Sequence, residues 1–375
     1  PSYKRIGIEQ RRGRASQVVI VIAKGLPEPE TPTQDVDIAR TFAWTSPYGG
    51  CWVEKFYREC GGQDLYKRKI KTEQEFIDRL KVVSPATKTA PELMIMGNFV
   101  KDRVAVLNMC REYEIDTVHA EDGFFPHYTS MHADPLGFAW ESSLSRTLFR
   151  KCSDKQRRVA KKARQDWIPG VTASMPEIDS PYVLWPLQLL GDKVNRWSLA
   201  MTSWLELIKH FREGLPQEFT LVIKPHPRSQ KDSTLEIKAA ELPNTVVLGH
   251  NLPLDPLLKN AAAVVGANSS VLTEARVMYE KPAYAYAPSW YANHTALIYP
   301  MDHRFPVNVP HIDQLVKPEL LQTEYLKDYA DWYLYQLLVR QFKHDDVKKD
   351  RNKFIRFVHK FTYRSYINYG EALFD

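Results

Sequence analysis

Three short stretches carry side chains whose types and spacing suit chemistry. The first is Glu121-Asp122-Gly123, two adjacent carboxylates followed by a turn-forming glycine. Paired negative charge raises the proton affinity of one partner, and a carboxyl held in that state can exchange a proton with a substrate hydroxyl. The second is Lys224-Pro225-His226-Pro227-Arg228, three basic side chains in a loop stiffened by two prolines. The third is Asn268-Ser269-Ser270, with Glu274 further along the helical pattern that follows. A serine before a helix acts as an N-cap, and the free N–H groups of a helix start favour a phosphate or another anion. Taken singly, the basic loop reads as a solvated turn and the serines as a plain cap. Their order along the chain joins them into a nucleotide-phosphate site.

The elements that must position these residues are legible in the apolar pattern. Phe219 to Ile223 (FTLVI) reads as a buried strand stopped by the two prolines, and Ala263 to Ala267 (AVVGA) as a second strand that ends in Asn-Ser-Ser. Val271 to Tyr279 follows as a helix, and Lys281 to Tyr284 opens another strand. In an open parallel sheet, ligands collect at the carboxyl ends of strands, where both loops fall. Asp116 to Ala120 (DTVHA) is a strand that delivers the acidic pair to its end, and Tyr182 to Leu187 (YVLWPL) is a strand that runs into Gln188 and Gly191-Asp192. Val18 to Ala23 reads as a first strand and Thr72 to Val82 and Val104 to Tyr113 as amphipathic helices. Residues 143 to 168 read as one long basic helix, and Trp167 to Ser180, rich in Pro and Gly, as a linker. Ser198 to Leu215, Pro318 to Phe342 and Asp350 to Tyr366 complete the helices. Strands alternating with helices imply parallel sheets flanked by helices, an α/β fold.

The run of strand, basic His-Pro loop, strand, Asn-Ser-Ser, and helix with Glu274 resembles the donor domain of nucleotide-sugar glycosyltransferases of the GT-B-like type. That resemblance implies two Rossmann-like domains facing across a cleft. More narrowly it resembles bacterial sialyltransferases and the capsule-type transferases of Kdo, an eight-carbon 2-keto acid, both of which use CMP-activated sugars. Glu121-Asp122-Gly123-Phe124 resembles the Glu-Asp-Gly-Phe motif of the capsule Kdo transferases, although Phe125-Pro126-His127 stands where that family has Arg-Ser or Arg-Pro. Gln188-Leu189-Leu190-Gly191-Asp192 resembles the family's Gln-x-x-Gly-Asp segment. The resemblance implies CMP-Kdo as donor and Asp192 as nucleophile of a retaining, two-step transfer, with Glu121 as acid/base and Asp122 as its modulator. It implies donor binding by Gln188, Lys224, His226, Arg228, Asn268, Ser269, Ser270 and Glu274, with Arg228 and Arg276 as candidate partners for the sugar carboxylate. The expected acceptor is a cell-surface polysaccharide or lipid-linked glycan. Two alternatives remain: an inverting, sialyltransferase-like enzyme in which the acidic pair is a one-step base and Asp192 caps a helix, and a non-catalytic glycan-binding protein.

Length and composition set the frame. At 375 residues the chain exceeds what one core usually supports, and 44% hydrophobic with 26% charged residues fits a globular enzyme. We expect an N-terminal acceptor-side domain over 1–175, a CMP-sugar domain over 176–316, and C-terminal helices over 317–375 that pack across both. No DxD segment with divalent-cation geometry appears, and the four cysteines lack close pairing, so no metal, no cofactor beyond the CMP-sugar and no disulfide framework are expected. No apolar run approaches the ~20 residues that span a bilayer. The first residues are basic without an apolar stretch after them, so no signal peptide is expected, and a start at Pro1 leaves the natural N-terminus open. These features point to the cytoplasm. The net charge of +6 is uneven: residues 150–164 hold eight Lys or Arg against one Asp. Such a helix suits a solvated face, an anionic glycan, or peripheral contact with the inner membrane; without interleaved aromatics it does not suit nucleic acid.

Overall fold

In a computed structural model of the chain, the described residues are 41–44, 63–64, 93–97, 107–108, 110–111, 114–125, 129–167, 178, 181–189, 203–229, 233–295, 297–301, 323–343, 345–346, 350–370 and 374. They form two six-stranded sheets. The strands are β1 (Thr41–Trp44), β2 (Gln63–Asp64), β3 (Leu93–Gly97), β4 (Asp116–Asp122), β5 (Ser130–Asp134), β6 (Tyr182–Pro186), β7 (Thr220–Lys224), β8 (Thr245–Val247), β9 (Ala263–Gly266), β10 (Ala283–Ala285), β11 (Tyr299–Pro300) and β12 (Gln341–Lys343). The first sheet has the order β12-β5-β4-β3-β1-β2 and the second β11-β10-β9-β6-β7-β8. The second sheet is parallel throughout, whereas in the first β5 runs antiparallel to both of its neighbours, β4 and β12. This is the α/β architecture expected from the alternation of strand and helix.

The two sheets bury their strands differently. In the second sheet Val183, Trp185, Leu221 and Ile223 pack on one face against Leu207, Ile208 and Phe211 of helix α2 (Trp204–Gly214). On the other face Leu184, Val222 and Val264 pack with Leu272 and Ala275 of α5 (Ser270–Val277). Burial on both faces is why these strands read as continuous apolar runs. β4 and β5 instead alternate. Val118, Ala120, Met131 and Ala133 meet Phe342, Phe354 and Phe361 in a core. Thr117, His119 and Glu121 face the other way, beside Ser130, His132 and Asp134 of β5. That polar face rises to Glu121.

Three helices differ from the apolar pattern. The basic helix α1 begins at Asp154 and runs to Trp167; residues 143–146 form a 3-10 turn instead. Buried Asp134 captures the backbone N–H of Ser143 and the hydroxyls of Ser142 and Ser143, which holds the chain in that turn. Ser153 and Gln156 then exchange side-chain to backbone bonds of 3.3 and 2.8 Å, a capping box that starts α1. The C-terminal helix α6 (Glu324–Val339) stops at Arg340, and residues 341–343 form β12 against β5. Arg340 is fully buried; it donates to Gln336 and Thr147 and lies over the Phe374 ring. The last helical stretch is two helices, α7 (Arg351–Lys360) and α8 (Tyr363–Tyr369), because Thr362 caps α8 by accepting from the Ser365 N–H. The expected elements at residues 18–23 and 72–82, and most of the linker after Trp167, lie outside the described residues.

Candidate active site

The second sheet places three predicted residues at equivalent positions. β6 is flanked by β7 and β9, with Leu184 opposite both Val222 and Val264 and Pro186 opposite Lys224. Gln188, His226 and Asn268 each follow two residues beyond that row. The strand order reverses here, since the chain passes from β6 outward to β7 and β8 and returns to β9 on the other side. Such a reversal opens a crevice at the carboxyl ends of the strands. Gln188 and Asn268 bridge it reciprocally: Gln188 Nε2 donates to Asn268 Oδ1 at 2.8 Å, and the Asn268 N–H donates to Gln188 Oε1 at 3.2 Å. The Ser269 hydroxyl caps α5 by accepting from the Val271 N–H at 3.2 Å, and half-buried Ser270 begins the helix.

His226 sits in a turn closed by its own carbonyl, which accepts from the Ser229 N–H and hydroxyl. Its Nδ1 accepts from the Arg228 N–H at 3.1 Å. In the neutral ring the proton is therefore on Nε2. Arg228 is exposed on the same turn. Lys224 lies beneath the loop, 4% exposed, where its ammonium donates to the carbonyls of Pro225 at 2.8 Å and His250 at 2.6 Å. Burial lowers its pKa. Lys224 thus ties the loop after β7 to the loop after β8. Glu274 is partly buried on α5, and burial followed by the neighbouring Asp255 carboxylate pushes it up to about 7. Arg276 is 2% exposed and donates to the Leu326 carbonyl, which places it between α5 and α6 rather than at the crevice.

On the first sheet, Glu121 and Asp122 are the last two residues of β4 and still belong to its ladder, opposite His132 and Met131. The strand is longer than the apolar run DTVHA because β5 pairs with these polar residues as well. Gly123 is required by contact: a Cβ there would lie 1.9 Å from the Ser130 hydroxyl oxygen. The Asp122 carbonyl lies 2.7 Å from His132 Nδ1, and Phe124 stacks on the His132 ring at 4.4 Å between centroids. The next contacts come from the second sheet's side of the molecule. Phe124 meets Trp290 edge to face at 5.3 Å, and the Trp290 indole N–H donates to Thr273 on α5. The acidic loop and the helix that starts at the crevice are therefore joined through one aromatic contact. His132, Trp290 and Gln341, which bonds the Phe124 and Phe125 amides, were not identifiable as site residues beforehand; the one available signal was the alternation of Ser130, His132 and Asp134 with apolar neighbours. Asp192 lies outside the described residues.

No group of three or more His, Cys, Asp or Glu suited to a metal occurs among the described residues. Cys110 and Cys152 are buried free thiols, and burial pushes them up to about 12 and about 11. Among the described residues, no helix is long and apolar enough to cross a membrane.

The chain is an α/β protein with a strand reversal in one sheet and a carboxylate pair at a strand end of the other, an architecture that suits a ligand at the strand ends. Residues 110–294 match the family described as capsule polysaccharide biosynthesis protein. No curated protein matches the chain. Among solved structures, it is similar to Thermosulfurimonas dismutans KpsC, beta Kdo 2,7 transferase, at 18% identity over 70% of this chain and 83% of that one, with a TM-score of 0.47. The beta Kdo 2,4 transferase of the same KpsC gives 13% identity, coverage of 78% and 90%, and a TM-score of 0.48. A UDP-GlcNAc 2-epimerase from Neisseria meningitidis gives 12% identity, 75% and 83%, and 0.33.

Proposed function

We propose that the chain is a glycosyltransferase of capsule synthesis that moves Kdo from CMP-Kdo to a polysaccharide or lipid-linked glycan, with retention through an ester on Asp192. The observation that carries this reading is the row formed by Gln188, His226 and Asn268 at the strand reversal, with the start of α5 beside it. A departing CMP phosphate there would meet the His226 Nε2–H and the N–H groups of a helix end, donors that strengthen as its charge develops. The family match to capsule polysaccharide biosynthesis supports the pathway. The choice of Kdo rests on the motifs Glu121 to Phe124 and Gln188 to Asp192.

In the first step the Asp192 carboxylate attacks the anomeric carbon, and the bond to CMP breaks with its electron pair on the phosphate. In the second, the acceptor oxygen attacks the same carbon, the ester electrons return to Asp192, and the hydroxyl proton passes to Glu121. Asp122 tunes Glu121. Nothing in this scheme calls on a metal, so transfer is expected to survive EDTA. α1 supplies the contact with anionic inner-membrane lipid: Arg157 and Arg164 pair with Asp328 and Asp331, while Lys155, Arg158 and Lys161 stay exposed without an ion pair among the described residues.

Calorimetry with CMP and UMP tests the donor site. His226→Ala is expected to weaken CMP binding by ~1.5–3 kcal/mol, the range for a hydrogen bond to a charged group. Equal affinity for CMP and UMP, or no loss in the variant, would remove the assignment.

A further inference from the structure

Glu121, His132 and Gln341 stand in one row across β4, β5 and β12, since His132 is opposite both of the others. Side chains directly opposite share a sheet face, so Gln341 faces the same way as the acid/base candidate, two strands or roughly 10 Å away. Its amide closes that gap through the loop. Gln341 Oε1 accepts from the N–H groups of Phe124 at 3.1 Å and Phe125 at 2.9 Å, and its Nε2 donates to the Phe125 carbonyl at 2.5 Å. Phe124 and Phe125 are buried, at 8% and 5% exposure. Three backbone groups directly after the acidic pair thus depend on one side chain that lies 216 residues further along the chain. Gln341 also falls outside residues 110–294, the stretch that carries the family pattern.

We propose that Gln341 is a positioning residue for the acidic loop: by bonding Phe124 and Phe125 it fixes Glu121 and Asp122 where they meet the acceptor. This rests on Glu121 as the acid/base of the reading above. The geometry selects glutamine. Asparagine is one methylene too short to span from β12, and glutamate keeps both accepting bonds but loses the donor and adds a charge to the row that holds Glu121 and His132.

The test uses the full chain and two readouts: amide hydrogen exchange of the 121–125 segment, and CMP release from CMP-Kdo with water as acceptor across pH. Gln341→Ala is expected to raise exchange in that segment at least tenfold while leaving 220–224 unchanged, and to lower kcat roughly 10- to 100-fold with KM changed by less than about threefold. Gln341→Glu is expected to keep the segment protected and to move the acidic limb of the kcat profile upward by about one pH unit, because a negative charge near Glu121 favours its protonated form. That shift tests the proximity of residue 341 to Glu121, and the split between kcat and KM in Gln341→Ala separates positioning from packing. Unchanged exchange in Gln341→Ala, or in Gln341→Asn should the alanine variant not fold, overturns the clamp. A loosened loop with unchanged kcat, or an unmoved limb in Gln341→Glu, overturns the positioning role. If the wild-type chain releases no CMP from CMP-Kdo, the donor reading fails, and the exchange measurement still decides the clamp.

Discussion

Gly123→Ala is the smallest change that reaches the candidate acid/base pair, and its cost follows from three distances. The added Cβ would lie 1.9 Å from the Ser130 Oγ and 2.8 Å from both the Ser130 Cβ and its carbonyl carbon. The hydroxyl can rotate away; the other two atoms belong to a fully buried strand residue and can move only with β5. Overpacking of this kind costs about 1–3 kcal/mol. Gly123 is not among the residues with positive φ, so alanine brings no backbone strain and gains ~0.4–1 kcal/mol from a stiffer unfolded chain. The net expectation is destabilisation of up to about 2.6 kcal/mol in urea denaturation. Displacing the strand end by about an ångström would also lower kcat on the order of 100-fold. Ser130→Gly removes two of the three clashing atoms, so the double variant should recover at least ~1 kcal/mol relative to additivity. A Gly123→Ala protein with unchanged stability and turnover, or strict additivity with Ser130→Gly, would refute the contact.

Three further outcomes are expected. Glu274, held up at about 7, is protonated in both folded and unfolded chains below pH 4.5; above that the unfolded chain ionises first, so stability falls by ~1.4 kcal/mol per pH unit until the folded group also ionises. Glu274→Gln should flatten that fall and be the more stable protein above pH 7, and an unchanged slope between pH 5 and 8 in denaturant titrations would exclude it. With CMP-Kdo and no acceptor, intact-mass spectrometry should find one Kdo residue on the peptide containing Asp192, and Asp192→Ala should lose the adduct and transfer yet still bind CMP; an active Asp192→Ala, or a product of inverted configuration, would favour one-step chemistry instead. Reversing Lys155, Arg158 and Lys161 to Glu should abolish cosedimentation with phosphatidylglycerol vesicles at low salt, and equal retention on neutral phosphatidylcholine would exclude the electrostatic contact.

The second sheet was legible because its strands are buried on both faces and its loops announce themselves. YVLWP, TLVIK and AVVG are short apolar runs that end at proline or Asn-Ser-Ser, so both strand type and strand end are written locally. The first sheet was less so. β4 continues through Glu121 and Asp122 because β5 pairs with them, a tertiary fact that a polar pair does not advertise. β12 was read as helix, since three residues after a sixteen-residue helix carry no period of their own. What makes Gln341-Phe342-Lys343 a strand is the ladder to Ser130, Met131 and His132 and the burial of Phe342, neither of which is local. Lys224 shows the opposite error of scale. Its type suited a phosphate, but at the last position of a central strand its side chain is buried and bonds the adjoining loops.

These two kinds of residue divide along the chain in a way that bears on how the site is built. Groups suited to contact with a ligand, His226, Ser270 and Glu121, sit in motifs of a few consecutive residues because a strand end and its loop present them together. Groups that hold those motifs in place come from far away in sequence: Gln341 reaches the amides of Phe124 and Phe125, and Trp290 joins Phe124 to Thr273. A loop that carries paired carboxylates gains little from its own hydrophobic burial, and its backbone needs partners that neighbouring residues cannot supply. The first sheet solves this by recruiting a strand from beyond α6. The same strand that completes the ladder therefore also holds the loop that follows Glu121 and Asp122.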